Sequence, residues 1–96
     1  MSATRTIPLA DQELVARVAG GDDVALNLLR ARYERSAYAM AFGILGEPVG
    51  AEHAVSETFL EAQRAAARFD PRGGSVRAWI TAIARQRAEM LATSLT

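Results

Sequence analysis

Ninety-six residues, 50% of them apolar and balanced at 11 basic against 11 acidic side chains, describe one small domain with room for a single core. With no cysteine and a single histidine, His53, the chain holds no disulfide framework, zinc finger or thiol nucleophile, and any metal site would have to be built from carboxylates. No apolar run approaches the ~18 residues of a membrane span, and residues 1–10 lack the apolar stretch and cleavage site of a secretory signal, so a cytoplasmic chain without membrane contact is expected.

Apolar residues recur at spacings of three and four, alanine is abundant, and no alternating β-branched run is long enough for a strand. The expected fold is all-α, a compact bundle of about four helices. Residues 1–10 read as a flexible tail carrying Pro8, and 11–96 as the helical domain. Asp11 is placed to cap a short helix over 12–19, which ends at Gly20-Gly21. Asp22 or Asp23 caps a long helix over 23–45, whose apolar set is Leu26, Leu29, Tyr33, Ala37, Met40, Ala41 and Ile44. Gly46-Glu47-Pro48-Val49-Gly50 breaks the chain, and a third helix follows over 51–67. Phe69-Asp70-Pro71-Arg72-Gly73-Gly74 interrupts again, and Ser75 caps a fourth helix over 76–92.

The third helix has two distinct faces. At ~100° per residue, Ala51, Val55, Thr58, Phe59, Ala62 and Ala66 fall on one side and His53, Ser56, Glu57, Leu60 and Arg64 on the other. A leucine ringed by a carboxylate, a hydroxyl, an imidazole and a guanidinium is either a docking stripe for a partner or an ordinary solvent face with one exposed leucine. On the fourth helix Val76, Trp79, Ile80, Ile83, Met90 and Leu91 share a side, with Arg77, Thr81, Arg85, Ala88 and Glu89 largely away from it, and Trp79 is expected in the core. Arg87 projects from the middle of that apolar stripe, so it must snorkel, pair with a carboxylate or meet a partner.

The zero net charge hides a polarity. Residues 1–63 hold nine acids against five arginines, whereas residues 64–96 hold six arginines against Asp70 and Glu89. Either the two halves attract each other, or they meet different partners and the basic one meets nucleic acid. All 11 basic residues are arginine, the side chain suited to bidentate contact with carboxylate or phosphate, although a GC-rich genome gives the same bias. Arg72-Gly73-Gly74-Ser75 lacks the lysine and spacing of a nucleotide-binding loop. A glycine turn feeding a helix start, flanked by Arg68, Arg72 and Arg77, is either a plain turn and cap or a seat for a backbone phosphate or an extruded base. His53 and Ser56 lie three apart on one helix but have no oxyanion donor or orienting acid beside them, and no enzyme or cofactor is implied.

Taken in order, a set of short strings resembles a known family: Asp11-Gln12-Glu13-Leu14-Val15, Gly21-Asp22 ahead of a helix containing Tyr33, Ala51-Glu52, and Glu57-Thr58-Phe59-Leu60. Arg68-Phe69-Asp70-Pro71 and Ala78-Trp79-Ile80 with Ile83-Ala84-Arg85 complete it. Over about residues 9–91 they are similar to the promoter-binding second region of bacterial sigma factors of the extracytoplasmic-function type. The resemblance implies a helical bundle that docks on the clamp helices of the RNA polymerase β′ subunit, opens the promoter's minus-ten element and captures an extruded base. Carried over by position, it implies polymerase contacts at Glu52, His53, Ser56, Glu57, Leu60 and Arg64. It implies a base pocket at Arg68, Phe69, Asp70, Arg72, Gly73, Gly74 and Ser75 and at the start of the fourth helix, and strand contacts at Arg77, Arg85 and Gln86.

The chain departs from the family pattern at several of these places. His53 and Ser56 stand where the docking helix usually has an acid and a glutamine, while Gln86, Met90 and Ala92-Thr93-Ser94 stand where asparagine, aspartate and a closing arginine run are usual. The helix-turn-helix domain with which such sigma factors read the minus-thirty-five element would follow Thr96 or be lacking altogether. A second reading is therefore kept: a sigma-like domain serving as a protein-interaction module, for instance bound by an anti-sigma factor, with little DNA binding.

Overall fold

In the computed structural model, which describes residues 9–94, the chain forms four α-helices and two short 3-10 turns, with no strand among the described residues. The helices are α1 (Asp11–Ala19), α2 (Asp23–Leu45), α3 (Pro48–Ala65) and α4 (Val76–Ser94), and the 3-10 turns Ala66–Arg68 and Pro71–Gly73 lie between the last two. The tail expected over 1–10 falls outside the described residues except for Leu9 and Ala10; Leu9 packs against the core and its carbonyl accepts from Arg32 at 2.8 Å.

Local chemistry sets the helix ends. The first helix begins at Asp11 itself rather than after it: Ala10 is the N-cap, and the Glu13 carboxylate accepts from its N–H at 3.1 Å. Asp11 is therefore not the cap, because its carboxylate turns instead to Arg32 and Tyr33 on α2. Asp22 caps α2 by accepting from the Ala25 N–H, and Gly46 ends it in the left-handed conformation at φ +73°. The expected start of the third helix at Ala51 is three residues late. Pro48, whose ring presets a helical φ and whose missing N–H is no loss there, occupies its first turn, and the Glu47 carboxylate accepts from the Val49 and Gly50 N–H groups. That helix stops at Ala65, where the chain tightens into the first 3-10 turn instead of continuing to 67. Ser75 caps α4 as expected, accepting from the Ala78 N–H at 3.1 Å.

The central element is α2, against which the other three helices all pack. Most of the core lies at one end, where Leu14 and Val18 of α1, Leu29 and Tyr33 of α2, Val55 and Phe59 of α3, and Val76, Ile80 and Ile83 of α4 converge. At the other end the buried residues of the seam are Ala41, Ala51, Ala54 and Ala88, with Tyr38, Ile44, Leu45 and Leu91 packed against them, and the small side chains let α2, α3 and α4 approach closely. Ala88 thus belongs to the core rather than to the outer side of its helix, and Met90, expected inside, is 52% exposed. Trp79 is half-buried, packed at the edge of the core and lying against Phe69. At these positions the placement of the neighbouring helix, and not the helical period alone, decides what is covered. No helix of the described residues is long and apolar enough to cross a membrane.

Candidate functional site

Two separate surfaces collect the residues singled out from the sequence. The first is a cleft of about 320 Å³ between the 3-10 turns and the start of α4, lined by Arg68, Phe69, Asp70, Gly73, Gly74 and Ser75 together with Ala78, Trp79 and Ala82 of α4. Its shape follows from local chemistry. The Asp70 carboxylate accepts from the Arg72 N–H at 2.9 Å and from Arg72 Nε at 3.2 Å, closing the Pro71–Gly73 turn. Those bonds, from side chain and then backbone, hold the exposed Asp70 carboxyl below its ordinary range. Gly74 at φ +140° and ψ −177° takes a conformation open essentially to glycine only, and it delivers Ser75 to cap α4. Phe69 and Trp79 meet at 5.0 Å between ring centroids and 53° between planes, forming an aromatic wall.

The cleft has what a flat heteroaromatic ring needs: aromatic faces for stacking, exposed small residues that allow close approach, and a helix start with a guanidinium nearby. The sequence reading placed the pocket at these rim residues and the start of the fourth helix, without assigning Ala78, Trp79 or Ala82 to it. Ala78, Trp79 and Ala82 lie on one line along α4, and the exposed alanines four apart were the available signal. Arg72 is 90% exposed beyond the rim. Arg85 and Gln86 lie further along α4, both exposed, and Gln86 belongs to a shallow groove with Glu89 and Met90. Arg77 does not line the cleft; its guanidinium lies over the Tyr33 ring on α2 at 5.1 Å and donates to Ser36 Oγ at 3.1 Å.

The second surface is the outer face of α3. The two faces expected of this helix are both present: Ala51, Val55, Thr58, Phe59, Ala62 and Ala66 are buried, whereas His53, Ser56, Leu60 and Arg64 are exposed and Glu57 is partly so. Leu60 stands 50% exposed at the crest. On one side of it Glu52 and Ser56 face a groove of about 510 Å³ shared with Arg30, Glu34, Arg35 and Tyr38 of α2, none of which was singled out from the sequence. On the other side runs a ladder of charges. His53 Nε2 lies 3.8 Å from Glu57, and Arg64 lies 3.9 Å from Glu61. Arg87 of α4, 19% exposed, sits between the two carboxylates, 3.1 Å from Glu61 and 3.9 Å from Glu57. Of the three options open to Arg87, pairing with a carboxylate is the one taken, through Glu61, a residue the sequence reading left aside.

The family model described as sigma-70 region 2 matches residues 29–94. An ECF RNA polymerase sigma factor SigK of Mycobacterium sp. (strain KMS) is 32% identical over 75 residues, which is 78% of this chain and 39% of that protein, and the SigK of strain JLS matches equally. The chain thus spans about two-fifths of the length of the curated relatives it matches. Among solved structures, the NMR structure of an engineered region 2 of sigmaE in complex with GTAAAA superposes with a TM-score of 0.80 at 31% identity, over 90% of this chain and 88% of that one.

Proposed function

The chain belongs to the sigma-70 region 2 family, and on that premise we propose that it acts in transcription initiation, docking on the RNA polymerase core through α3 and capturing a base of the promoter minus-ten element in the cleft at the start of α4. The observation that carries this reading is the cleft itself: an aromatic and glycine-lined recess beside exposed arginines, lined by none of the residues of the outer face of α3. It is supported by the structural neighbour, an engineered region 2 of sigmaE in complex with GTAAAA. In this reading the domain is a binding module and not an enzyme.

Each surface has a distinct role. Phe69 and Trp79 offer ring faces to an unstacked base, while Asp70, Gly73, Gly74 and Ser75 shape the recess around its edge. Arg68, Arg72 and Arg85 are exposed and lie along the path a strand would take out of it, with Gln86 as a hydrogen-bonding side chain beyond them. On the other surface Leu60 is the apolar anchor, ringed by Glu52, His53, Ser56, Glu57 and Arg64, and it meets the clamp helices of the β′ subunit. An anti-sigma factor would compete for the same face.

Two titrations test the proposal. Fluorescence anisotropy with a labelled single strand carrying a minus-ten element should show binding at low salt. Calorimetry with a β′ clamp-helix fragment should show docking that Leu60→Ala weakens about tenfold with thermal unfolding little changed. Docking without any strand binding at low salt would favour the interaction-module reading. Neither activity in the wild-type chain would overturn both.

A further inference from the structure

We infer that Arg77 is a strut that seats the first turn of α4 on α2, with Tyr33 and Ser36 as its seat, and that it is not a ligand of the DNA phosphates. The inference deepens the strand-capture reading of the cleft and rests on it. Arg77 stands two residues beyond the capping Ser75 and directly before Ala78 and Trp79, which line the cleft. Its guanidinium does not turn toward that cleft. It lies across the face of the Tyr33 ring, 5.1 Å from the centroid, and Nη1 donates to Ser36 Oγ at 3.1 Å.

The seat is built to receive a cation. Tyr33 is buried, and its hydroxyl donates to the Asp11 carboxylate, which also takes Arg32 Nη1 at 2.8 Å. A phenol that donates to a carboxylate has a more electron-rich ring, and an electron-rich face attracts a guanidinium more strongly. The Asp11 charge is close enough to act on Arg77 as well, since the field of Arg77 is among the influences that keep the Asp11 carboxyl below its ordinary range. Arg77 is exposed, as Arg68 and Arg85 are, but it alone of the three has a ring contact and a side-chain hydrogen bond among those described.

What the strut adds is direction. Val76 and Ile80 already fix which face of this turn is buried. A planar cation stacked on one ring and hydrogen-bonded to one hydroxyl pins the outer edge of the same turn, where no apolar contact holds it. Rotation of that turn sets where Ser75, Ala78 and Trp79 stand, and so sets the width of the cleft. Arg77, Tyr33 and Ser36 are positioning residues for the cleft wall, and α1 takes part through Asp11.

The test is strand affinity of the full chain between about 50 and 200 mM salt, for wild type, Arg77→Ala, Arg77→Lys, Ser36→Ala and Tyr33→Leu. As a strut, Arg77→Ala should weaken binding by about threefold to tenfold at every salt concentration with the salt slope unchanged. Lysine should not restore it, because an ammonium neither stacks nor forks like a guanidinium. Ser36→Ala and Tyr33→Leu, which remove no charge, should move affinity in the same direction. A slope lower by about 0.7 in Arg77→Ala, with full recovery in Arg77→Lys, is the signature of a phosphate contact and would overturn the inference.

A second measurement needs no DNA. In a nitrogen-15 spectrum the Arg77 Nε–H signal should be displaced by the Tyr33 ring current, should relax toward its free position in Tyr33→Leu, and should not move when the strand is added. A free-position signal in the wild-type chain would remove the seat whatever the strand titration shows. Absence of strand binding in wild type with the ring-current shift intact would instead strike the capture reading and leave the strut standing.

Discussion

Asp11 sits at the head of α1, where an acidic side chain ordinarily serves its own helix, yet both its oxygens are committed to α2: one to Arg32 and the other to the Tyr33 hydroxyl. Partial burial acts to raise its pKa, but the hydrogen bonds from Tyr33 and Arg32 and the charges of Arg32 and Arg77 together outweigh it and hold the carboxyl below its ordinary 3.8. A carboxyl whose pKa is lower folded than unfolded contributes stability that is present above the unfolded value and lost as pH falls through the folded one. Asp11→Asn should therefore melt below wild type at neutral pH, with the gap closing as pH drops under 3.8, which thermal scans across that range will show. A gap that stays constant down to about pH 2 would mean that the ionised carboxylate is not what holds α1 to α2. Tyr33 runs the other way. Burial, then its bond to Asp11 and the Asp11 charge, raise its pKa above 10.0, so its share of stability persists below the unfolded value and fades only as pH climbs through the raised one.

At the scale of the element, α3 divides its labour between adjacent residues. Phe59 is buried against α2 and α4, with Arg30 of α2 over its ring at 5.7 Å, whereas Leu60 points outward at the crest of the docking face. Removing the first leaves a cavity among the buried side chains of the main core. Phe59→Ala should cost ~3–5 kcal/mol in chemical denaturation, a large part of the stability of a domain this size. Leu60→Ala should cost less than about 1 kcal/mol, since its side chain is already half in water. Equal losses in the two variants would mean that Leu60 is part of the core and that the docking face lies elsewhere. Holding these two faces in register is also the work of the seam at the far end, where Ala51 and Ala54 let α2 and α4 approach and Arg87 reaches across to Glu61 and Glu57.

Over the whole molecule, part of the charge polarity of the chain is attraction between its two halves. Arg87 of the basic third turns inward to the carboxylates of Glu61 and Glu57 on α3, and Arg77, though exposed, lies over the Tyr33 ring of α2, so the halves do attract each other. Arg64 lies near Glu61, and Arg72 is held by Asp70. What remains directed at solvent around the cleft is Arg68, Arg85 and the exposed side chain of Arg72. A single strand that met those three guanidiniums would release about 0.7 counterion for each phosphate neutralised, giving a salt slope of about 2. Zero net charge leaves little long-range attraction to add to it. Anisotropy titrations at several salt concentrations should return that shallow slope; a value above about 4 would require arginines now turned inward to swing out on binding.

The helices, the Ser75 cap and the two faces of α3 were readable from the chain because each depends on residues three or four apart: the 3.6-residue period, a hydroxyl before a helix, a glycine after one. The rim of the cleft was readable for the same reason, as a glycine turn entering a helix. The early start of α3 was missed although it too is local, because Pro48 reads as a breaker until Glu47 is seen to cap the turn it opens. The rest required the packing. Periodicity says which side of a helix is apolar but not how far a neighbour extends to cover it, so Met90 emerged exposed and Ala88 buried. Trp79 shares the phase of Ile80 and Ile83, yet the chain brings Phe69 beside it and makes it a wall of the cleft. Arg77 and Asp11 could not be assigned before α2 was placed between them, since a charged side chain takes its direction from partners that lie 41 and 22 residues away in sequence. Short-range rules write the elements; the destinations of long charged side chains are set where those elements meet.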